Sequence, residues 1–240
     1  MTKTQRIVVT IVTNIVLLFA AFIVIVSTIV DPVCVQASTV VNGVIYAGDT
    51  DSKNISLMIN VYWGTEYLDG ILDALDKAKV KTTFFVGGSW VKDNPEKLKE
   101  IIARGHEIGS HGYSHKDHDK LSYDQNREEI LKTHNLVKDI TGLEMKLFAP
   151  PSGAYNKTTV EVASGLGYKT IMWTRDTIDW RDKDANIIYS RAIKDAKGGD
   201  LVLMHPTENT LKALPKVLEY LSKQNLKVTP VSEVIGSLAA

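Results

Sequence analysis

The chain has 240 residues, with 28 basic and 28 acidic side chains and a formal net charge of zero. That balance excludes a basic nucleic-acid-binding face and a charged binding arm as organising features. The single cysteine, Cys34, excludes an internal disulfide framework and a cysteine-rich zinc module, so any metal chemistry has to use nitrogen and oxygen ligands.

Lys3 and Arg6 precede Ile7 to Val30, an apolar run broken only by Thr10, Thr13, Asn14, Ser27 and Thr28. A bilayer core of ~30 Å needs roughly 20 apolar helical residues, and this run supplies them. The leading positive charges predict a cytoplasmic N-terminus and an outward-facing remainder. Val35-Gln36-Ala37 resembles a cleavage site before Ser38, but the run is longer than the ~7–15 apolar residues of a cleaved signal. The expectation is a single-pass membrane anchor over residues 1–37 and an extracytoplasmic domain over 38–240, or a secreted domain if the segment is cleaved.

Beyond a lead-in hairpin strand at Val41 to Ala47, apolar β-rich runs alternate with amphipathic stretches. Strands are expected at Ser56–Val61, Lys81–Val86, Glu107–Gly109, Lys146–Ala149, Lys169–Thr174, Asp200–Met204 and Lys227–Val231. Helices are expected at Glu66–Ala78, Pro95–Ala103, Ser122–Thr141, Lys157–Ser164, Asn186–Ala196 and Thr210–Lys223. Leu68, Ile71, Leu72 and Leu75 form one apolar stripe, and Ser122 with Gln125 resembles a capping box. Alternation of this kind implies parallel βαβ units, and about seven of them in roughly 200 residues favour a distorted (β/α) barrel. No repeat or low-complexity tract divides the domain.

In such a barrel, chemistry collects at the carboxyl ends of the strands. His111 and His115 lie four positions apart, and a helical turn after Ser110 would bring them to one face, where they could share a metal. Taken alone, two polar loop histidines facing water is an equally good reading of that spacing. Four further fragments fall at strand ends: Met58-Ile59-Asn60-Val61-Tyr62-Trp63-Gly64, Phe148-Ala149-Pro150-Pro151-Ser152-Gly153-Ala154-Tyr155-Asn156, Asp176-Thr177-Ile178-Asp179-Trp180 and Leu201-Val202-Leu203-Met204-His205. With Ser110 to His115 they resemble, in order, the polysaccharide deacetylase family, the NodB-homology domain of carbohydrate esterase family 4, from about Val41 to the C-terminus.

The resemblance implies removal of acetyl groups from N-acetylated sugars of a cell-wall glycan such as peptidoglycan or a chitooligosaccharide. That reaction calls for a metal that polarises the amide carbonyl, a base for the attacking water and an acid for the leaving amine. It places His111 and His115 on the two histidine ligands, His205 on the acid and Asp179 on the carboxylate that orients it. Trp180 and Leu203 fall on pocket-lining positions, and Trp63 and Tyr155 join them as substrate-binding candidates. The Pro-Pro-Ser-Gly turn before Tyr155 offers backbone amides suited to an oxyanion.

Three departures set this chain apart. The family's first motif ordinarily reads Thr-Phe-Asp-Asp-Gly, a base followed by a metal ligand, and here the two acidic positions are Asn60 and Val61. An amide accepts no water proton near neutral pH, and valine binds no metal. Ala149 stands where the family places an arginine that orients the base. Some relatives resembling the deacetylases of spore-forming bacteria also carry an apolar residue at the second Asp and end the motif in Trp-Gly, as Trp63-Gly64 do. The metal site is reduced to two histidines, water and the Asn60 carbonyl, with Glu66, Asp117 and His118 as unselected candidates to complete it. The expected cofactor is a weakly held divalent metal, zinc or cobalt, or none. Two functions stay open: a deacetylase with a modified metal site, and a catalytically impaired glycan-binding or wall-associated protein on the same fold. A different hydrolase with a relocated base is a third.

Overall fold

A computed structural model describes residues 40–236. The expected membrane anchor and cleavage site lie outside the described residues. Among the described residues no helix is long and apolar enough to cross a membrane.

Ten strands form one sheet: β1 (Val40–Val41), β2 (Val44–Ile45), β3 (Asn54–Val61), β4 (Thr83–Val86), β5 (Glu107–Ser110), β6 (Leu147–Phe148), β7 (Lys169–Ile171), β8 (Arg175–Asp176), β9 (Leu201–Met204) and β10 (Lys227–Val228). Their order is β1-β2-β7-β6-β5-β4-β3-β9-β8, with β10 paired to the start of β3. Every pairing is parallel except the β1–β2 hairpin. The expected parallel α/β barrel is therefore present, but as a curled open sheet: among the described residues no ladder joins β8 to β1. Just after β8 the Asp176 carboxylate caps its own turn, Oδ1 accepting from the Ile178 amide at 2.7 Å, while Ile178 adopts φ 54°.

Among the described residues eight α-helices accompany the strands: α1 (Thr65–Lys77), α2 (Gly88–Asp93), α3 (Pro95–Ala103), α4 (Tyr123–Thr141), α5 (Lys157–Gly165), α6 (Ala185–Ile193), α7 (Glu208–Lys223) and, after the last strand, α8 (Val231–Ile235). The stripe Leu68, Ile71, Leu72 and Leu75 is buried along α1, as its spacing requires. The capping box of α4 forms with Ser122 and Gln125 each satisfying the other's backbone amide, and Gly142 closes the helix at φ 75°. Helices α2 and α8 have no counterpart among the expected elements. The Gly87-Gly88 start of α2 reads as a loop, but a Cβ at Gly88 would lie 2.3 Å from the Tyr113 ring, so glycine there serves close packing.

The period of two along β3 divides the interior in two. Ile55, Leu57, Ile59 and Val61 face the outer layer with Leu68, Leu72, Trp90 and the other helix residues. Met58 faces the barrel interior with Phe85, Leu147, Ala149, Ile171 and Leu201, closed from below by Val231, Val234 and Ile235 of α8. Asn60 continues that inward row at the carboxyl end of β3, where the sheet opens to solvent.

Candidate functional site

At the carboxyl ends of the strands lies a cavity of about 460 Å³, lined by Asn60, Tyr62 and Trp63 from β3 and its exit, His111 and His115 after β5, Ser152 after β6, Trp173 after β7, Asp176 and Trp180 at and after β8, and Leu203 and His205 from β9 and its exit. A larger concavity of about 980 Å³ lies between α1 and α7 near the amino ends of β3 and β10, and no histidine lines it.

His111 is 2% exposed, and its Nδ1 donates to the Ala149 carbonyl at 2.8 Å. A carbonyl only accepts, so the proton sits on Nδ1, and Nε2 is left as a lone-pair acceptor. His115 approaches it with ring centres 5.2 Å apart, planes at 77°, and its other side meets the edge of Tyr62. The two histidines thus come together, but not through the helical turn considered for the sequence: the backbone after Ser110 is irregular. Gly112 at φ 68° and His115 at φ 52° fold it back. A Cβ on Gly112 would also lie 3.0 Å from His118 Nε2, so this fold-back needs glycine. Burial, with the neighbouring His115 second, pushes the His111 imidazole down to about 3, and burial lowers His115 as well.

Opposite them, Asp179 is 4% exposed and holds His205 twice. Its Oδ1 accepts from His205 Nδ1 at 2.8 Å and its Oδ2 from the His205 backbone N–H at 2.6 Å. Oδ2 also accepts from the Thr210 hydroxyl at 2.5 Å. Both carboxylate oxygens are thereby used, and the Nδ1 side of His205 is held against Asp179, leaving Nε2 on the far edge of the ring. Trp63 stacks parallel to the His205 ring at 5.9 Å, with planes 4° apart. Gly64 makes this possible: its φ is 77°, and a Cβ there would stand 1.9 Å from the Pro206 carbonyl oxygen. The Trp-Gly pair of the first motif is thus a packing device that lays the indole beside His205.

Leu203 and Trp180 line the cavity as expected. Tyr155 does not: its hydroxyl meets that of Tyr46 in a short hydrogen bond, away from the lining residues. Nor does the turn before Tyr155 present two free amides, because Gly153 N–H bonds Pro150 O and Ala154 N–H bonds Pro151 O within the turn itself. Tyr62, Trp173 and Asp176 line the cavity without having been singled out for it. The inward period through Asn60 points to Tyr62, whereas nothing local marks Trp173. Asp176 reads as a turn residue and is one, but it also faces the cleft. Thr210, which holds Asp179, carries no signal in the sequence because the contact spans 31 positions.

The resemblance implies a divalent metal, and the donor set does not fit one held firmly. Two neutral imidazoles and the Asn60 carboxamide are at hand, and Asn60 Oδ1 is buried without a partner. No group of three His, Cys, Asp or Glu side chains able to hold an ion occurs among the described residues. Val61 packs in the outer apolar layer and does not line the cavity. Glu66 lies on α1 and Asp117 pairs with Lys120 at 2.7 Å, and neither lines the cavity. His118 is fully buried behind Gly112, bonded through Nδ1 to Asn126. The Ala149 side chain belongs to the barrel interior, and its carbonyl, not its side chain, serves the site by orienting His111.

Comparison with known proteins places this geometry. Residues 47–171 match the polysaccharide deacetylase family model. The chain is 37% identical to the protein YlxY of Bacillus subtilis (strain 168) over 80% of its own length, and spans 60% of the length of that relative. It is 31% identical to the peptidoglycan-N-acetylmuramic acid deacetylase PdaA of the same organism, covering 79% of this chain and 74% of the other. Among solved structures it is similar to a carbohydrate esterase family 4 pseudoenzyme from Bacillus anthracis, with a TM-score of 0.78 at 39% identity, covering 80% of this chain and 68% of that one. Motif order, open barrel, strand-end cleft and these likenesses agree, and the chain belongs to the polysaccharide deacetylase family.

Proposed function

We propose that this protein binds a cell-wall glycan in its strand-end cleft and is impaired as a hydrolase, keeping the acid half of a deacetylase site and lacking the base half. Deacetylases of the family are generally metal-dependent. The observation that carries the reading is the floor of the cleft: Asn60 stands at the end of β3, 3% exposed, where a carboxylate would have to take the water proton. The neighbouring Val61 faces away into the outer core. By contrast Asp179, His205 and Thr210 remain a fully bonded unit beside the exposed indoles of Trp63 and Trp180. The likeness to a family pseudoenzyme supports the same reading, as does the solved mutant of that pseudoenzyme with restored enzymatic activity. The setting is extracytoplasmic, with the apolar run Ile7 to Val30 as anchor, on the strength of its length and of Lys3 and Arg6 before it.

A second reading has one observation in its favour. Asp176 lines the same cavity as Asn60, His111 and His115, so hydrolysis with Asp176 as the relocated base is chemically available. Glu66, the carboxylate just after the first motif, does not line the cleft.

Acetate release separates the two. The full-length chain, with defined zinc or cobalt, is incubated with chitooligosaccharides and with peptidoglycan, and sedimentation with the insoluble polymer reports binding. Binding with little acetate release is expected. Positioned general bases contribute about 10²–10⁴-fold, so Asn60→Asp combined with Ala149→Arg should raise release visibly. Robust turnover by the unaltered protein refutes impairment, and its loss in Asp176→Asn would establish the relocated base. Absence of polymer binding refutes the glycan reading.

A further inference from the structure

We propose that the cleft selects a cationic amino sugar, the de-N-acetylated unit of a glycan, over the N-acetylated unit; this rests on the glycan reading above. Three of the chain's four tryptophans, Trp63, Trp173 and Trp180, line the cleft together with Tyr62. Trp63 and Trp180 are 44% and 56% exposed, so their rings are open to a ligand. One carboxylate, Asp176, lines the same cavity, and neither lysine nor arginine does. Aromatic faces carry negative quadrupole potential, and an aromatic wall with a carboxylate set in it is an environment that receives an ammonium group.

The hydrogen-bonding floor points the same way. His111 spends its Nδ1 proton on the Ala149 carbonyl, so it presents a lone pair at Nε2. Asp176 uses Oδ1 for the Ile178 amide, which leaves Oδ2 to accept. Some of the donors that an acetyl carbonyl could use are turned elsewhere. The Tyr62 hydroxyl, which Ser89 Oγ meets at 2.6 Å, is directed at the Tyr113 carbonyl, and the Gly153 and Ala154 amides close their own turn. An ammonium brings three donors and a positive charge to this set of acceptors, whereas an acetamide brings one donor and an acceptor. With the floor unable to hold a dication firmly, the amine is the cation that fits. The ligand then arises from a prior amide hydrolysis carried out by another protein, and this chain reads the product.

The test is calorimetric titration of the full-length chain, with a chelator present, using glucosamine and N-acetylglucosamine tetrasaccharides below the amine's pKa. The glucosamine form should bind roughly tenfold tighter. Asp176→Asn keeps an Oδ1 acceptor for the Ile178 turn, so the fold survives, and it should erase most of that preference. Trp63→Ala should weaken both ligands. Equal or tighter binding of the N-acetylated form overturns the inference and leaves the glycan reading standing. A preference that persists undiminished in a folded Asp176→Asn protein also overturns it. Binding of neither sugar overturns both.

Discussion

Replacing Asp179 by asparagine tests the rigid half of the cleft. The carboxylate accepts three hydrogen bonds, from His205 Nδ1, the His205 backbone and the Thr210 hydroxyl. An amide has one oxygen. Placed at the Oδ2 position, it keeps the His205 N–H and Thr210 bonds and turns its NH₂ toward His205 Nδ1. The imidazole then has to accept there and carry its proton on Nε2, facing the cleft. The opposite orientation sets the amide N–H groups against the backbone N–H, leaving two buried donors unpaired, and is the costlier one. Three charge-assisted bonds become neutral, a loss of about 1 kcal/mol each or about 3 kcal/mol in all. In a domain of this size that corresponds to a fall in Tm of about 6–12 °C. Thermal unfolding measures the first effect, and the imidazole nitrogen shifts of His205 in NMR report the second. A Tm unchanged within about a degree, or an Nδ1 that keeps its proton, would refute the account of Asp179 as the residue that sets both the stability and the tautomer of His205.

Further expectations follow from neighbouring residues. Val61→Asp buries an unpaired charge in the outer core and should cost about 3–5 kcal/mol without added metal. Asn60→Asp, whose side chain lines the cleft, should cost clearly less, and equal losses in thermal unfolding would contradict the inward and outward assignment along β3. Gly64→Ala meets both a positive φ and the Pro206 carbonyl, so a loss of at least about 1–3 kcal/mol and weakened glycan binding are expected; a protein normal in both respects would show that Gly64 does not place Trp63. Burial, with Lys81 second, holds His106 down to about 4, and burial with His115 holds His111 down to about 3. The unfolded chain therefore binds more protons than the folded one below about pH 6.5, and stability should fall on acidification by up to about 1.4 kcal/mol per pH unit for each histidine. Urea midpoints taken between about pH 6.5 and 4.5 check this, and His106→Gln should shallow the dependence; a flat profile would mean that these imidazoles protonate in place.

The sequence by itself was enough for the alternation of elements, most helix bounds and the ordered strand-end motifs, because hydrophobic period and capping are local properties. The α1 stripe and the Ser122–Gln125 box need no knowledge of the rest of the chain. The amide at Asn60 was equally legible, since an amide accepts no proton near neutral pH wherever it sits. Only the tertiary structure decided which way each residue of that motif points. Asn60 and Tyr62 turn inward while Val61 joins the helix layer, a distinction that depends on strand register against β4 and β9. It also decided that Tyr155 leaves the cleft for Tyr46, that Asp176 enters it, and that Thr210 completes the hold on His205. These are contacts between segments tens of residues apart, set by how neighbouring strands and loops pack, and no local spacing encodes them. The gap between β8 and β1 belongs with these: the strand count was consistent with closure, and only the pairing of the strands shows the sheet open there.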